Sequence, residues 1–189
     1  TRKAFDLSLE KTSESTRFGR HEFGQSLLLA SRLIEAGVHF VTVRLRPAEF
    51  DFDTHLDNFS KLSALLPPFD KGLSSLIDRL KERGLFRSTG IMVAGEFGRT
   101  PKINSQGGRD HWARAMFALM AGGDIEGGQV IGETDDRAGA PVGKGYSPDD
   151  LAASFFQNIG INSKHEFQTN IGRPINLVRD GKPIAQLFS

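Results

Sequence analysis

The chain has 189 residues, which is long enough for one domain with a buried core. Its 24 basic and 23 acidic residues give a net charge of +1, so it lacks the basic surplus of a nucleic-acid-binding protein. No apolar run approaches the roughly 18 residues of a membrane span. Cysteine is absent, which excludes disulfides and thiolate metal sites, so histidine and carboxylates are the expected ligands for a divalent metal.

The first forty-five residues predict a loop, a helix and a strand. Residues 12–16 are uniformly polar or charged, which indicates a loop. Apolar residues from Phe23 onward recur at helical spacing, and Gly37 is placed to end that helix. Residues 38–45 are β-branched and largely apolar, which predicts a buried strand that Pro47 ends.

The next segment predicts a crossover between two parallel strands. Residues 57–84 predict helix, interrupted at Pro67-Pro68 because proline removes backbone donors and clashes within a helix. Residues 90–94 predict a second buried strand. A strand–helix–strand order usually makes parallel neighbours with a right-handed crossover. The predicted fold class is therefore α/β, a three-layer αβα arrangement with a mainly parallel sheet, in a single domain over residues 1–189.

The remaining elements are shorter. Residues 115–121 predict another strand of that sheet, and residues 127–134 predict a polar hairpin. Ser147 as N-cap, followed by Pro148 at the first helical position, predicts a helix that runs to Asn158. Residues 179–182 predict a hairpin turn in the C-terminal tail.

Two polar clusters follow the two predicted strands, and in an open α/β sheet the carboxyl ends of parallel strands meet at one edge. We therefore expect the clusters to converge. Imidazole and carboxylate without thiolate suit a divalent cation such as Zn, Mn, Mg or Ca. An arginine nearby is able to hold an anionic oxygen in a bidentate manner. The candidate metal ligands are Asp53, His55, Glu96, Asp110 and His111, and the candidate catalytic arginines are Arg99 and Arg109.

Each of these residues also has an ordinary structural interpretation. An Asp-x-His sequence in a loop is more often a cap or a hydrogen-bonded turn than a ligand pair. Asp110 is placed to cap a helix beginning at Trp112. Arg99 is placed to pair with Glu96 at the surface. The residues alone leave these alternatives open.

Four sequence blocks resemble domain-of-unknown-function family 1501, whose bacterial, sulfatase-like members are placed in the alkaline phosphatase superfamily. The resemblance runs from about Phe18 to the C-terminus. The blocks are Asp53-Thr54-His55 with Asn58-Phe59, Gly95-Glu96-Phe97-Gly98-Arg99-Thr100-Pro101, Gly108-Arg109-Asp110-His111-Trp112, and the glycine-rich stretch over residues 121–132.

The resemblance implies a metal-site layout and a longer parent protein. Asp53 and His55 match the superfamily's first motif, Glu96 stands near its Asp-His pair, and His111 stands near its third histidine. Phe97 departs from the pattern, because the superfamily carries histidine there. The superfamily's nucleophile and first metal aspartate belong to an N-terminal half, so the resemblance implies that this chain is the C-terminal half of an exported, periplasmic parent.

Three functions follow as expectations. The first is a metal-dependent hydrolase of phosphate or sulfate esters, inactive without the nucleophile half. The second is a degenerate relative that binds anions or sulfated glycans without turnover, and the third is a structural or assembly subunit. The expected partners are a small anionic ester or sulfated glycan and the N-terminal half of the parent, with no nucleic acid.

Overall fold

The computed structural model describes residues 2–45, 51–143 and 145–189, which form two compact units. The helical unit comprises Thr1–Leu85 and Lys102–Asp110, and the strand unit comprises Phe86–Pro101 and His111–Ser189. The single-domain organisation expected from the sequence stays a prediction. None of the described helices is long and apolar enough to cross a membrane.

The helical unit is built on three α-helices with a shared apolar core. Phe18, Leu28 and Leu80, one from each helix, are fully buried. The loop predicted over residues 12–16 is wrong, because a helix forms there and the Arg17 guanidinium donates two hydrogen bonds of 2.8 Å to the Glu82 carboxylate. The helices are α1 (Thr12–Phe18), α2 (Glu22–Glu35) and α3 (Asn58–Glu82), preceded by short 3-10 turns at Arg2–Phe5 and Leu7–Leu9.

Helix α2 agrees with the sequence prediction. The His21 imidazole accepts a hydrogen bond from the Gly24 amide at 3.1 Å and so caps the N-terminus. Gly37, just beyond the C-terminus, has a φ of 84°, the left-handed conformation that favours glycine at this position. The predicted helix and its end are therefore confirmed.

Helix α3 runs without interruption through Pro67-Pro68, so the predicted break is wrong. Each proline inside a helix costs about 3 kcal/mol relative to alanine. The packing of α3 against α2 outweighs that cost, because Gly72, Leu76 and Leu80 beyond the prolines are buried. A side chain at Gly72 would meet Leu27 at 3.0 Å, which shows how closely the two helices approach.

The strand unit overturns the predicted fold class. Its strands pair in three separate two-stranded sheets, all antiparallel, so a mainly parallel three-layer sheet is absent from the described residues. The strands predicted over residues 90–94 and 115–121 do form, as β1 and β4, but they pair with each other in antiparallel register from Ile91↔Ala121 to Ala94↔Ala118. The strands are β1 (Ile91–Ala94), β2 (Gly98–Arg99), β3 (His111–Trp112), β4 (Ala118–Ala121), β5 (Glu166–Gln168) and β6 (Pro174–Asn176).

The strand predicted over residues 38–45 is also wrong, because this segment has no regular secondary structure. Its residues alternate between exposed and half-buried, and Phe40 is largely exposed. An extended segment needs a neighbouring strand to satisfy its backbone groups, and no described strand pairs with it. Pro47, predicted to end the strand, lies outside the described residues.

Helix α4 (Pro148–Asn158) begins as predicted. The Ser147 hydroxyl accepts from the Asp150 amide at 3.1 Å, and the Asp150 carboxylate accepts from the Ser147 amide at 2.9 Å. This reciprocal capping box satisfies two backbone donors at the helix start.

The two predicted turns lie elsewhere. Residues 179–182 do not join a pair of described strands, so the predicted hairpin turn is wrong. The Lys182 and Ile184 amides instead donate to the Asp150 and Ser154 side chains and hold the tail against α4. The hairpin of this region is β5–β6 instead. The hairpin predicted at residues 127–134 is displaced to residues 133–142, where the Asp135 carboxylate accepts from the Gly139 amide.

Candidate metal centre

Two loops of the helical unit, residues 51–57 and 104–110, are joined by backbone hydrogen bonds. Leu56 and Gly107 form an isolated antiparallel bridge. The Asn58 amide donates to the Gly107 carbonyl at 3.0 Å, and the Arg109 amide donates to the Thr54 carbonyl at 2.9 Å. These bonds bring together two motifs that are about fifty residues apart in the sequence. The loops therefore converge without the parallel sheet edge on which that expectation had rested.

Buried polar groups fix the first loop to the start of α3. Thr54 and Asn58 are both buried, and the Thr54 hydroxyl donates to the Asn58 side-chain oxygen at 2.6 Å. Gly108 allows the second loop to approach closely, since a Cβ atom there would lie 1.9 Å from the His55 carbonyl oxygen. The motif glycine therefore has a steric role that no other residue type can fill without displacing the loop.

Asn104 ties both loops together and was not predicted from the sequence. Its side-chain oxygen accepts from the Gly108 amide at 2.9 Å. Its side-chain nitrogen donates to the His55 carbonyl at 2.9 Å and to Asp110 Oδ1 at 3.2 Å. The available signal was an asparagine before a glycine pair, since asparagine side chains commonly bind nearby backbone amides in turns.

The loops place the His55 imidazole between two carboxylates. His55 Nε2 lies 3.0 Å from Asp53 Oδ1, and His55 Nδ1 lies 2.9 Å from Asp110 Oδ1. The side chains are 41%, 49% and 53% exposed for His55, Asp53 and Asp110 respectively, so all three are accessible to solvent. An exposed trio of charged and titratable groups is thus held by a framework of buried hydrogen bonds.

This arrangement admits two chemical states. With a proton on each nitrogen, His55 is a cation that donates to both carboxylates. With a metal ion in place of the Nε2 proton, Nδ1–H still donates to Asp110, as in the carboxylate–histidine–metal arrangement of many metalloproteins. Two ligands bonded at 2.0–2.2 Å in a tetrahedral zinc site lie about 3.4 Å apart. The 3.0 Å between His55 and Asp53 is close to that separation.

The other predicted site residues are distributed over both units. Arg109 lies in the second loop, half-buried, with its amide bound to Thr54. In the strand unit, Glu96 is exposed in the bend after β1, and Arg99 on β2 lies opposite His111 on β3. The helix that Asp110 was placed to cap is absent, since residues 111–112 form β3.

The strand unit also carries an aromatic contact at this motif. The Phe97 ring lies 4.3 Å from the His111 ring, and the Arg99 guanidinium lies 6.0 Å from the Phe97 ring centre. His111 follows Asp110 by one peptide bond, so the covalent chain keeps it next to the Asp110 residue. Within the helical unit, Asp53 and His55 offer ligand atoms that are close enough to share one ion.

Comparison with known families gives one result that covers the chain. The model of the family described as "Protein of unknown function (DUF1501)" matches residues 1–188. Comparisons with curated proteins and with solved structures gave no match.

Proposed function

We propose that this chain, which belongs to the DUF1501 family, binds one divalent cation and uses it to hold a phosphate or sulfate ester for hydrolysis. The observation that supports this proposal most strongly is the His55 imidazole between the Asp53 and Asp110 carboxylates. A sulfatase-like ancestry and export to the periplasm belong to the same proposal and rest on motif resemblance.

In this proposal, Asp53 and His55 are ligands and Asp110 orients His55. The Nδ1 hydrogen bond to Asp110 fixes which imidazole nitrogen faces the ion, and Asn104 in turn holds Asp110. His111 and Glu96 of the strand unit remain candidate ligands on the basis of the motif resemblance. The donor set of imidazole and carboxylate suits zinc or manganese. A bound cation would polarise an ester oxygen.

Anion binding is assigned to the two arginines of the motif blocks. Arg109 belongs to the same loop as Asp110. Its backbone amide donates a hydrogen bond to the Thr54 carbonyl, so the bonds between the two loops fix the position of the Arg109 backbone. Arg99 is paired with His111 across β2 and β3. A guanidinium binds two oxygens of a phosphate or sulfate at once. We assign no nucleophile among the described residues. The Thr54 hydroxyl is not a candidate, because it is buried and donates a hydrogen bond to the Asn58 side-chain oxygen.

One observation favours a second candidate, an anion- or sulfated-glycan-binding protein without turnover. Phe97 stands where the related superfamily carries histidine, and its ring packs against His111. A phenyl ring supplies no metal ligand, so a second ion is not expected at this position. The same cation and arginines would then hold a sulfate or phosphate group without a hydrolytic step.

The test is cation-dependent binding of 4-nitrophenyl phosphate and 4-nitrophenyl sulfate, measured by calorimetry with and without Mn or Zn. We expect binding that requires the ion and is lost in His55→Ala and Arg109→Ala, while His165→Ala binds as the parent does. Ester binding that is unaffected by a chelator would contradict the proposal. Turnover of the same esters by the natural full-length protein would favour the hydrolase, and binding without turnover would favour the second candidate.

A further inference from the structure

The methionines of this chain are concentrated in one small part of the strand unit. The sequence contains three, at positions 92, 116 and 120. Met92 on β1 and Met120 on β4 are directly paired across the antiparallel sheet. Directly opposite residues have Cβ atoms about 4.5–5.5 Å apart on the same face of the sheet. Each methionine side chain has three rotatable bonds, so the two thioethers are able to approach a common point.

The two faces of the β1–β4 pair differ in chemistry. Side chains alternate between faces along a strand, so one face carries the two methionines and, in the adjacent cross-strand pair, Ala94 and Ala118. The opposite face carries branched aliphatic residues, Ile91 and Val93 on β1 and Leu119 on β4. The sulfur atoms of the paired strands therefore belong to one face, where the neighbouring cross-strand pair is small.

These methionines are accessible to solvent. Met92 is 42% exposed, and Met120 is half-buried. A methionine that serves only to fill a core would be enclosed by other apolar groups. Thioether ligands select soft monovalent ions such as Cu(I), whereas carboxylates and imidazole suit Zn and Mn. With cysteine absent, thioether is the one soft ligand type available in this sequence.

We propose that Met92 and Met120 form a binding site for a soft monovalent cation, Cu(I) or its redox-inert analogue Ag(I). The two thioether sulfurs bind the ion from adjacent strands, and solvent completes its coordination. The site is chemically distinct from the Asp53–His55 pair, because its two ligands are neutral, soft thioethers, whereas the other pair combines an anionic, hard carboxylate with a borderline imidazole. This inference does not depend on the proposed hydrolase function.

The test uses silver nitrate in chloride-free buffer and the full chain carrying 13C-methyl methionine. We expect the ε-methyl resonances of Met92 and Met120 to shift together and to saturate at one ion per chain. Met92→Leu and Met120→Leu should each weaken binding by about tenfold or more, since even outer-shell changes cost about 10–100-fold in metal affinity. Leucine has nearly the volume of methionine, so the fold should persist, as circular dichroism will verify.

Met116→Leu is the matched control, because Met116 is 40% exposed but lies outside the paired strands. This variant should bind silver as the parent chain does. His55→Ala should leave the methyl shifts unchanged. Independent shifts of all three methionines, an equal loss in all three leucine variants, or no shift at all would overturn the proposal and leave the pair as apolar packing only.

Discussion

Two charged clusters of the helical unit use similar residue types and are built in opposite ways. The Arg79 side chain is 2% exposed, and its guanidinium donates hydrogen bonds to Glu10, Glu14 and Glu35 at 2.8–3.1 Å. His55, in the other cluster, is 41% exposed between two carboxylates that are themselves about half exposed. In the first cluster a buried guanidinium is surrounded by partly exposed carboxylates. In the second, buried neutral side chains support charged groups that are exposed to solvent.

The two clusters differ in how their charges are balanced. Burial opposes the charged form of Arg79, yet the hydrogen bonds that its guanidinium donates to Glu10 and Glu35 outweigh burial and raise its pKa. The opposite charges of that cluster compensate one another, since the Glu10 carboxylate also accepts a hydrogen bond from the Arg32 guanidinium. Around His55, the neutral groups Thr54, Asn58 and Asn104 supply the rigidity, and the exposed trio remains accessible to an ion. We infer that the first cluster stabilises the helices and the second binds a ligand.

The largest expected effect comes from breaking the buried cluster. Arg79→Leu should lower the free energy of unfolding by about 3 kcal/mol, because the variant leaves three carboxylates partly buried without their cation. Urea denaturation followed by circular dichroism measures the change. Arg83→Leu, four residues later at the C-cap of α3 and with a side chain 56% exposed, should change stability by less than about 0.5 kcal/mol. Similar losses of stability in both variants would show that the buried arginine stabilises the fold no more than the exposed one.

Gly108→Ala should damage the exposed cluster through its backbone. The added Cβ would lie 1.9 Å from the His55 carbonyl oxygen, so the loops must separate, at a cost of about 2 kcal/mol. Cation affinity should fall with it, as measured by calorimetry with Mn and Zn. The control is Gly127→Ala, where an added Cβ meets nothing within 4 Å. A Gly108→Ala protein with unchanged affinity would show that the loop pairing is not required.

Asn104→Ala isolates the tie between the loops. Removing its side chain leaves Asp110 without one donor and the Gly108 amide without its acceptor. We expect about 1 kcal/mol of lost stability and a 10–100-fold loss of cation affinity, the usual cost of an outer-shell change. Asn162→Ala serves for comparison, because its side chain also accepts from a backbone amide two residues ahead, that of Lys164. Equal effects on cation affinity would contradict the assigned role of Asn104.

Two helices with strong end signals could be predicted from the sequence, whereas the strand pairing could not. Helix α2 and helix α4 were predicted with their caps, because Gly37 and Ser147 act within a few residues of themselves. The parallel sheet was wrong because the apolar sequence of β1 does not specify its partner, which is β4 downstream rather than residues 38–45. The break at Pro67-Pro68 was wrong because the packing of α3 on α2 overrides local preference.

Part of the candidate site could be predicted from the sequence, namely its residue types but not its tertiary contacts. Asp53, His55 and Asp110 stand out by residue type, and a family resemblance places them in motifs. The bridge between Leu56 and Gly107 and the four contacts of Asn104 depend on tertiary approach, which spacing along the chain does not encode. Their metal-binding role, with Glu96 and His111, stays a prediction.

The smallest expected effect concerns the pH dependence of the free energy of unfolding, to which Glu10 contributes. The hydrogen bond from Arg79 lowers the pKa of Glu10 from its ordinary value of 4.5, although burial opposes the shift. Because the folded-state pKa is lowered, the stabilisation is complete above about pH 4.5 and is lost as the pH falls through the folded-state value. Urea midpoints at several pH values should therefore decline more steeply below pH 4.5 in the parent chain than in Glu10→Gln. Parallel declines would contradict this assignment.

The central claim is that the exposed His55 cluster binds an ion and the buried cluster does not. Titration of the chain with Mn or Zn by calorimetry tests it directly. We predict one ion per chain, at least tenfold weaker binding in His55→Ala and in His111→Ala, unchanged binding in His165→Ala, and unchanged urea midpoints in all three variants. Absence of stoichiometric binding, or equal loss of affinity in the three histidine variants, would contradict the account.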